Sequence, residues 1–192
     1  REEKRPLTFR DLQGSDPEDP LVSLRLVSTD LSASRPVVLP PGPPGPKEQP
    51  YLFERGEFQR LFPDAVVEHL IGNGKPCSET PDGRPLYELP QLDLPVVVAA
   101  RLSLSFPVLM ETVLLWKKND PASEPVCHTM SDGGISSNFP IHFFDALLPG
   151  RPTFGLDLQP LRGQAERVQM SSELRPPLLT KVSDLATFGM QI

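Results

Sequence analysis

Asp132 has the sequence setting best suited to chemistry in this chain. It is followed by Gly133 and Gly134, and it lies between the apolar residues 126–130 and 140–148. A strand followed by a turn and a helix is the setting in which α/β folds place their sites, at the carboxyl end of the strand. The glycines let the backbone turn sharply and admit a close neighbour. On this pattern alone, the Asp132 carboxylate is either a catalytic group or a cap for the amides of its own turn.

A longer stretch around Asp132 resembles a known signature. Residues 131–158, SDGGISSNFPIHFFDALLPGRPTFGLDL, are similar to the pattern around the catalytic acid of patatin-like phospholipases, DGGxxxNxP followed by a helix and a strand. Upstream, VSLRLVSTDLS with its partner RPVVLP resembles a strand pair of that family, and PVVVAARLSLSFP resembles its AARxSxxxP helix. The matches lie in family order between residues 8 and 158.

The resemblance implies an α/β fold with three layers, in which helices flank a mainly parallel central sheet. It also implies a lipid acyl-ester hydrolase in which a serine of a GxSxG turn attacks the ester. Asp132 would be the general base that takes the serine proton and returns it to the leaving alcohol, with no histidine between them. Gly133, Gly134 and Asn138 would hold the loop that carries it. The substrate would be an acyl-ester lipid, met at a membrane or lipid surface, and no cofactor is implied.

The serine that this mechanism needs is not found in the chain. Gly14-Ser15 lacks the flanking GxSxG pattern, and Ser103 and Ser105 lack the glycines of such a turn, so both are interpreted as helix residues. We therefore expect residues 1–192 to be the C-terminal part of one patatin-like domain, inert alone, with the serine segment upstream. The alternative is a catalytically inactive relative that uses the same fold for binding or assembly.

Other candidate residues receive structural interpretations. His128 and His142 are expected to be packed side chains. Arg101 is expected to form an ion pair or to support the Asp132 loop by hydrogen bonding. Asn138 is expected to cap the helix that Pro140 opens. A calcium or magnesium site at Asp132 has little support, because hard cations need several oxygen ligands and no spaced Asp/Asn series surrounds this loop.

Composition limits the class of protein. The chain has 192 residues, which suits one core, and 25 prolines, where an average usage of about 5% would give about ten. The net charge of −6 without a basic block argues against nucleic-acid binding. Cys77 and Cys127 fit neither a zinc site nor a disulfide framework, and no apolar run approaches the about 20 residues of a bilayer span. We expect a cytoplasmic or membrane-peripheral protein of undetermined oligomeric state.

The hydrophobic pattern predicts alternating strands and helices, which is typical of βαβ units and a parallel sheet. A Pro/Gly-rich loop is predicted over 40–50 and a polar loop over 72–90. Strands are predicted over 21–29, 35–39, 51–54, 112–116, 126–130 and 153–158. Helical segments are predicted over 57–62, 63–71 and 140–148, with a further weak helix near the end of the chain. The apolar run 95–105 fits a buried strand or a buried helix by periodicity, and Pro95 favours a helix that ends before Pro107.

Overall fold

The structure is a computed structural model that describes residues 5–14, 22–45, 48–106, 109–137, 140–144 and 152–156. The chain divides into two compact units, Arg1–Gly155 and Leu156–Ile192. All the helices and strands given below belong to the first unit. None of the helices in the described ranges is long and apolar enough to cross a membrane.

In the part of the chain that the structure describes, seven strands form one sheet, and every pair of neighbouring strands is antiparallel. The order across the sheet is β2-β1-β7-β6-β3-β5-β4. The strands are β1 Leu26–Asp30, β2 Arg35–Leu39, β3 Leu52–Glu54, β4 Pro76–Glu79, β5 Pro85–Glu88, β6 Val113–Lys117 and β7 Val126–Asp132.

The predicted three-layer α/β fold with a mainly parallel sheet is therefore wrong. Three pairs of consecutive strands form hairpins with short connections. They are β1 with β2, β4 with β5, and β6 with β7. Antiparallel neighbours can be joined by such turns, whereas parallel neighbours need a long crossover, usually a helix. The alternation of strand and helix patterns was misleading, because the helix between β5 and β6 joins two strands that are not neighbours in the described sheet and so forms no βαβ unit.

Within the described ranges, four α-helices accompany the sheet. They are α1 Phe9–Gln13, α2 Arg55–Gln59, α3 Asp64–Asn73 and α4 Val96–Ser103. The prediction that Pro95 opens a helix is confirmed, since Pro95 is the N-cap of α4. This helix buries Val98, Ala99 and Leu102, a spacing that follows the helical period.

Most of the core lies between one face of the sheet and these helices. It includes Leu115, Met130 and Phe53 from the strands, and Leu70 and Leu102 from the helices, all without exposed surface. A smaller cluster on the opposite face joins Leu52, Leu86 and Trp116 with Cys127. Successive strand residues point to opposite faces, which is why Leu115 and Trp116 belong to different clusters.

Three other element predictions differ from the structure. The polar loop predicted over 72–90 contains the β4–β5 hairpin, whose tight turn includes Gly83 at a φ of 77°. The helix predicted over 140–148 begins as a 3₁₀ turn, Ile141–Phe144, and its later residues lie outside the described ranges. A strand was predicted over 153–158. In its described part, 153–156, no strand forms, and Phe154 and Leu156 are strongly exposed.

Candidate functional site

Asp132 is the last residue of β7, a strand that lies between β1 and β6 inside the sheet. Its backbone is held from two sides. The Asp132 amide donates to the carbonyl of Ser105 at 3.1 Å, and the Asp132 carbonyl accepts a hydrogen bond from Thr29 Oγ1 at 2.7 Å. The predicted position at the carboxyl end of a strand is confirmed, although the strand is antiparallel to its neighbours.

Gly133 is required where the turn passes close to β1. A Cβ at this position would lie 2.1 Å from the carbonyl oxygen of Val27, much closer than any stable contact. The glycine begins a 3₁₀ turn, Gly133–Ile135, and its carbonyl accepts the amides of Ser136 and Ser137. The predicted use of glycine for a close approach is confirmed at this residue.

The Asp132 side chain is partly exposed and forms one short hydrogen bond in its own turn. Its Oδ1 accepts the Gly134 amide at 2.8 Å. Within the described ranges, the other carboxylate oxygen, Oδ2, receives no donor. The capping interpretation is thus correct for Oδ1. Asn138, the fourth residue assigned to this loop by sequence, lies outside the described ranges.

Arg101 and Ser105 support this strand end together. Arg101 Nη1 donates to Ser105 Oγ at 2.8 Å, and that hydroxyl donates to the Arg101 carbonyl at 2.7 Å. The Ser105 carbonyl then accepts both the Asp132 amide and Ser131 Oγ. Of the two expectations for Arg101, support of the Asp132 loop is the one that these bonds favour. Ser105 lies just beyond α4 and not in a helix, because α4 ends at Ser103.

A second polar cluster, which sequence reasoning missed, is built around Asp30. This carboxylate has no exposed surface, and its Oδ2 accepts the Tyr51 hydroxyl at 2.7 Å and lies 2.8 Å from His128 Nδ1. Its Oδ1 accepts the Ala33 amide at 3.0 Å, within the β1–β2 turn. His128 is thus a packed residue, as predicted, and it is held by the buried carboxylate of Asp30. Asp30 and His128 come from β1 and β7, and Tyr51 immediately precedes β3, so no sequence spacing reveals the cluster.

Burial and hydrogen bonding act in opposite directions on Asp30. Burial alone would raise the pKa of its carboxyl, but the hydrogen bonds from Tyr51, Ala33 and His128 outweigh that effect and lower it. Burial, followed by the hydrogen bond to Asp30, raises the pKa of Tyr51 to about 12. The cluster therefore favours an ionised acid beside a neutral phenol.

The remaining candidates lie apart from both clusters. His142 is exposed beside Phe143, on the 3₁₀ turn Ile141–Phe144. Cys77 and Cys127 are both free thiols, and burial raises the pKa of each. In the part of the chain that the structure describes, no group of three His, Cys, Asp or Glu side chains is placed to hold a metal ion.

Comparison with known proteins gives one informative relative. The chain is 33% identical over 204 residues to a protein described as an RpoH suppressor from Rhizobium meliloti (strain 1021). The alignment covers 80% of this chain but 31% of that protein, so the chain spans about a third of its relative's length. No family model matches the chain, and no solved structure matches it.

The patatin-like assignment is wrong. No family model supports it, and the sheet is antiparallel where that assignment implied a mainly parallel one. The DGG run and the Pro95 helix are short local patterns, and a strand–glycine turn of this kind forms in more than one sheet topology. Asp132 remains a candidate on its own geometry.

Proposed function

We propose that this chain is the base-bearing part of a serine-dependent acyl-ester hydrolase. Asp132 is its general base, and the serine nucleophile belongs to a segment outside residues 1–192. The observation that carries the proposal is the geometry of Asp132, whose backbone is held by Ser105 and Thr29 while Oδ2 has no donor among the described residues. A carboxylate fixed in this way suits a base that must sit within about 3 Å of a hydroxyl.

The proposed proton path uses Oδ2. As the serine oxygen attacks the ester carbonyl, its proton passes to Oδ2, and the same proton then goes to the oxygen of the leaving alcohol. Water repeats the sequence on the acyl-serine and restores both groups. Throughout, the Gly134 amide on Oδ1 keeps the carboxylate oriented.

Exposed apolar side chains near Asp132 support a lipid ester as the substrate. Ile135 follows in the 3₁₀ turn and is 45% exposed, and Leu104, next to Ser105, is 59% exposed. Leu109 and Met110, on the segment after α4, are also exposed. Apolar side chains grouped around a polar site can contact acyl chains or the surface of a membrane. The proposal therefore places the enzyme's action at a lipid surface.

The test is hydrolysis of a short-chain ester by the complete gene product and its Asp132→Asn variant. Asparagine keeps the acceptor for the Gly134 amide but cannot take the serine proton, so we expect the rate to fall about 10²–10⁴-fold with an unchanged melting temperature. Asp120→Asn is a matched control, because Asp120 Oδ1 also accepts an amide two residues ahead, from Ala122 at 3.0 Å. It should retain full activity.

Two results would count against the hydrolase. A folded Asp132→Asn variant with an unchanged rate would remove Asp132 from the mechanism. Turnover by residues 1–192 alone would place the nucleophile within this chain and contradict the proposed division of the site.

A second candidate function is a binding or assembly module without catalysis. It is favoured by the Gly134 amide on Asp132, which gives the carboxylate a local structural role. The related protein is described as a suppressor of RpoH, a description that names no chemical reaction. A complete gene product that hydrolyses no ester, with wild-type Asp132 and a cooperative melt, would favour this candidate over the hydrolase.

A further inference from the structure

A cavity of about 250 Å³ lies beside the Asp30 cluster, on the side of the proline-rich loop. Its apolar lining includes Val37 of β2 and Pro41, Pro43 and Pro44 of the loop. Arg35 and Lys117 also line it, so a mainly apolar space is combined with two cations. Small-molecule sites commonly have this composition, with apolar walls and a few converging polar groups.

Both cations approach the same carboxylate oxygen. Glu48 Oε1 lies 3.6 Å from Lys117 Nζ and 4.0 Å from Arg35 Nη2. Both distances exceed the usual range of about 2.7–3.2 Å for a hydrogen bond. The Glu48 side chain is 55% exposed, and exposed ion pairs of this kind contribute little to stability. Glu48 can therefore leave the two cations at low cost.

Tyr51 contacts both cations, of which Lys117 is largely buried and Arg35 is partly exposed. Lys117 is 11% exposed, and its ammonium lies 4.5 Å from the centre of the Tyr51 ring. Arg35 Nη2 is 3.4 Å from the Tyr51 hydroxyl, which donates to Asp30. Burial, followed by repulsion from Arg35, lowers the pKa of Lys117, so its nearby anions do not fully compensate its charge. An added anion would stabilise the charged amine.

We propose that this cavity binds a small carboxylic acid in its anionic form. The ligand carboxylate takes the place of Glu48 between Arg35 and Lys117, and its apolar body lies against the prolines of the loop. A monoanion suits the site better than a phosphate, because Asp30 and Glu88 are negative neighbours that would repel a second charge. The site is separate from Asp132, since the fully buried Met130 lies between His128 and Asp132 on β7.

The probe is benzoate, with benzamide as its uncharged counterpart of nearly equal shape. In a titration followed by amide chemical shifts of the full chain, we expect saturable shifts at Arg35, Val37, Glu48, Tyr51 and Lys117. The expected dissociation constant is about 1 mM, which is reasonable for so small a ligand. Benzamide should bind about tenfold more weakly, because it lacks the charge that both cations recognise. Inorganic phosphate should also bind more weakly than benzoate.

Three variants distinguish a binding site from a structural ion pair. Glu48→Gln removes the competing carboxylate and should tighten benzoate binding about threefold or more, a gain that a purely structural role of Glu48 would not produce. Lys117→Met should weaken binding about tenfold. Lys118→Met removes the neighbouring charge outside the cavity and should leave the affinity unchanged.

Three results would overturn the proposal. The first is that benzoate causes no saturable shifts. The second is that benzamide or phosphate binds as tightly as benzoate. The third is that Glu48→Gln leaves the affinity for benzoate unchanged. Glu48 is largely exposed, so this last variant remains informative even if Lys117→Met fails to fold.

Discussion

Asp30 is a carboxylate with no exposed surface, and three donors make its position tolerable. Hydrogen bonds from Tyr51, His128 and the Ala33 amide replace the water that an ionised acid would otherwise keep. Removal of one donor leaves a buried charge partly unsatisfied, which usually costs more than the bond itself contributes. Single residues of this cluster should therefore have measurable effects on stability.

The first prediction at this scale concerns Tyr51. Its pKa in the folded protein is about 12, whereas an unfolded tyrosine titrates near 10. Because the folded state holds the proton more tightly, its stabilising contribution is present below pH of about 10 and is lost as the pH rises towards about 12. We expect Tyr51→Phe to lower the free energy of unfolding at pH 7 by about 1–3 kcal/mol and to remove this part of the alkaline loss.

Urea denaturation at a series of pH values measures both effects. The chain has one other tyrosine, Tyr87, and Tyr87→Phe keeps Tyr51 and should keep its alkaline loss. Equal alkaline profiles for wild type and Tyr51→Phe would show that the Asp30–Tyr51 bond does not govern this titration. Asp30 acts in the acid range with the opposite sign, since its lowered pKa stabilises the fold above pH of about 4 and that contribution is lost below it.

At the scale of elements, the end of β7 and the turn after it depend on one close contact with β1. The neighbour of Gly133 is the backbone carbonyl of Val27, which cannot rotate away as a long side chain could. Either the turn or β1 must move to admit a larger residue. Because Asp132 immediately precedes this contact, its orientation depends on the same glycine.

We predict that Gly133→Ala lowers the free energy of unfolding by about 3 kcal/mol, since overpacking against rigid neighbours commonly has an effect of this size. The matched control is Gly72→Ala. Gly72 lies in α3 with no atom within 4 Å of the added Cβ, so this variant should stabilise the protein by about 0.5–1 kcal/mol. Chemical denaturation checks both values, and an equally stable Gly133→Ala protein would contradict the tight packing of the turn on β1.

At the scale of the whole molecule, the two faces of the sheet differ in how deeply their apolar side chains are buried. Leu115 on β6 has no exposed surface and belongs to the larger core, whereas its neighbour Leu114 is only partly buried on the opposite face. The stability of the fold should therefore depend mainly on the face that packs against the helices.

The two neighbouring leucines allow a direct test. We expect Leu115→Ala to lower the free energy of unfolding by about 2–5 kcal/mol, because it leaves a cavity in the closed core. Leu114→Ala should cost about 1 kcal/mol, because its site is partly open to solvent. Thermal and urea unfolding of both variants make the comparison. Equal losses of unfolding free energy in the two variants would mean that the two faces contribute equally to stability.

Features that depend on neighbours along the chain could be predicted from the sequence. Helix α4 was predicted because Pro95 can open a helix and Pro107 ends the run, although the periodicity of this apolar run fits a buried strand as well. The β1–β2 hairpin was predicted because two β-rich runs flank a short turn. The strand end at Asp132 and the close approach at Gly133 were predicted in the same way, from an apolar run that meets two glycines.

Only the tertiary structure decided strand direction and the Asp30 cluster. Whether two strands run parallel or antiparallel depends on which strands become neighbours, and the local pattern of Val126–Asp132 is compatible with either arrangement. The β4–β5 hairpin was missed because its strands are short and proline-bearing, and they are strands only by pairing with each other and with β3. The sheet order makes β1 and β7 neighbours, which brings Asp30 beside His128, and the Tyr51 side chain reaches Asp30 from the residue before β3. Such contacts join residues far apart in the chain, and they exist only once the sheet has formed.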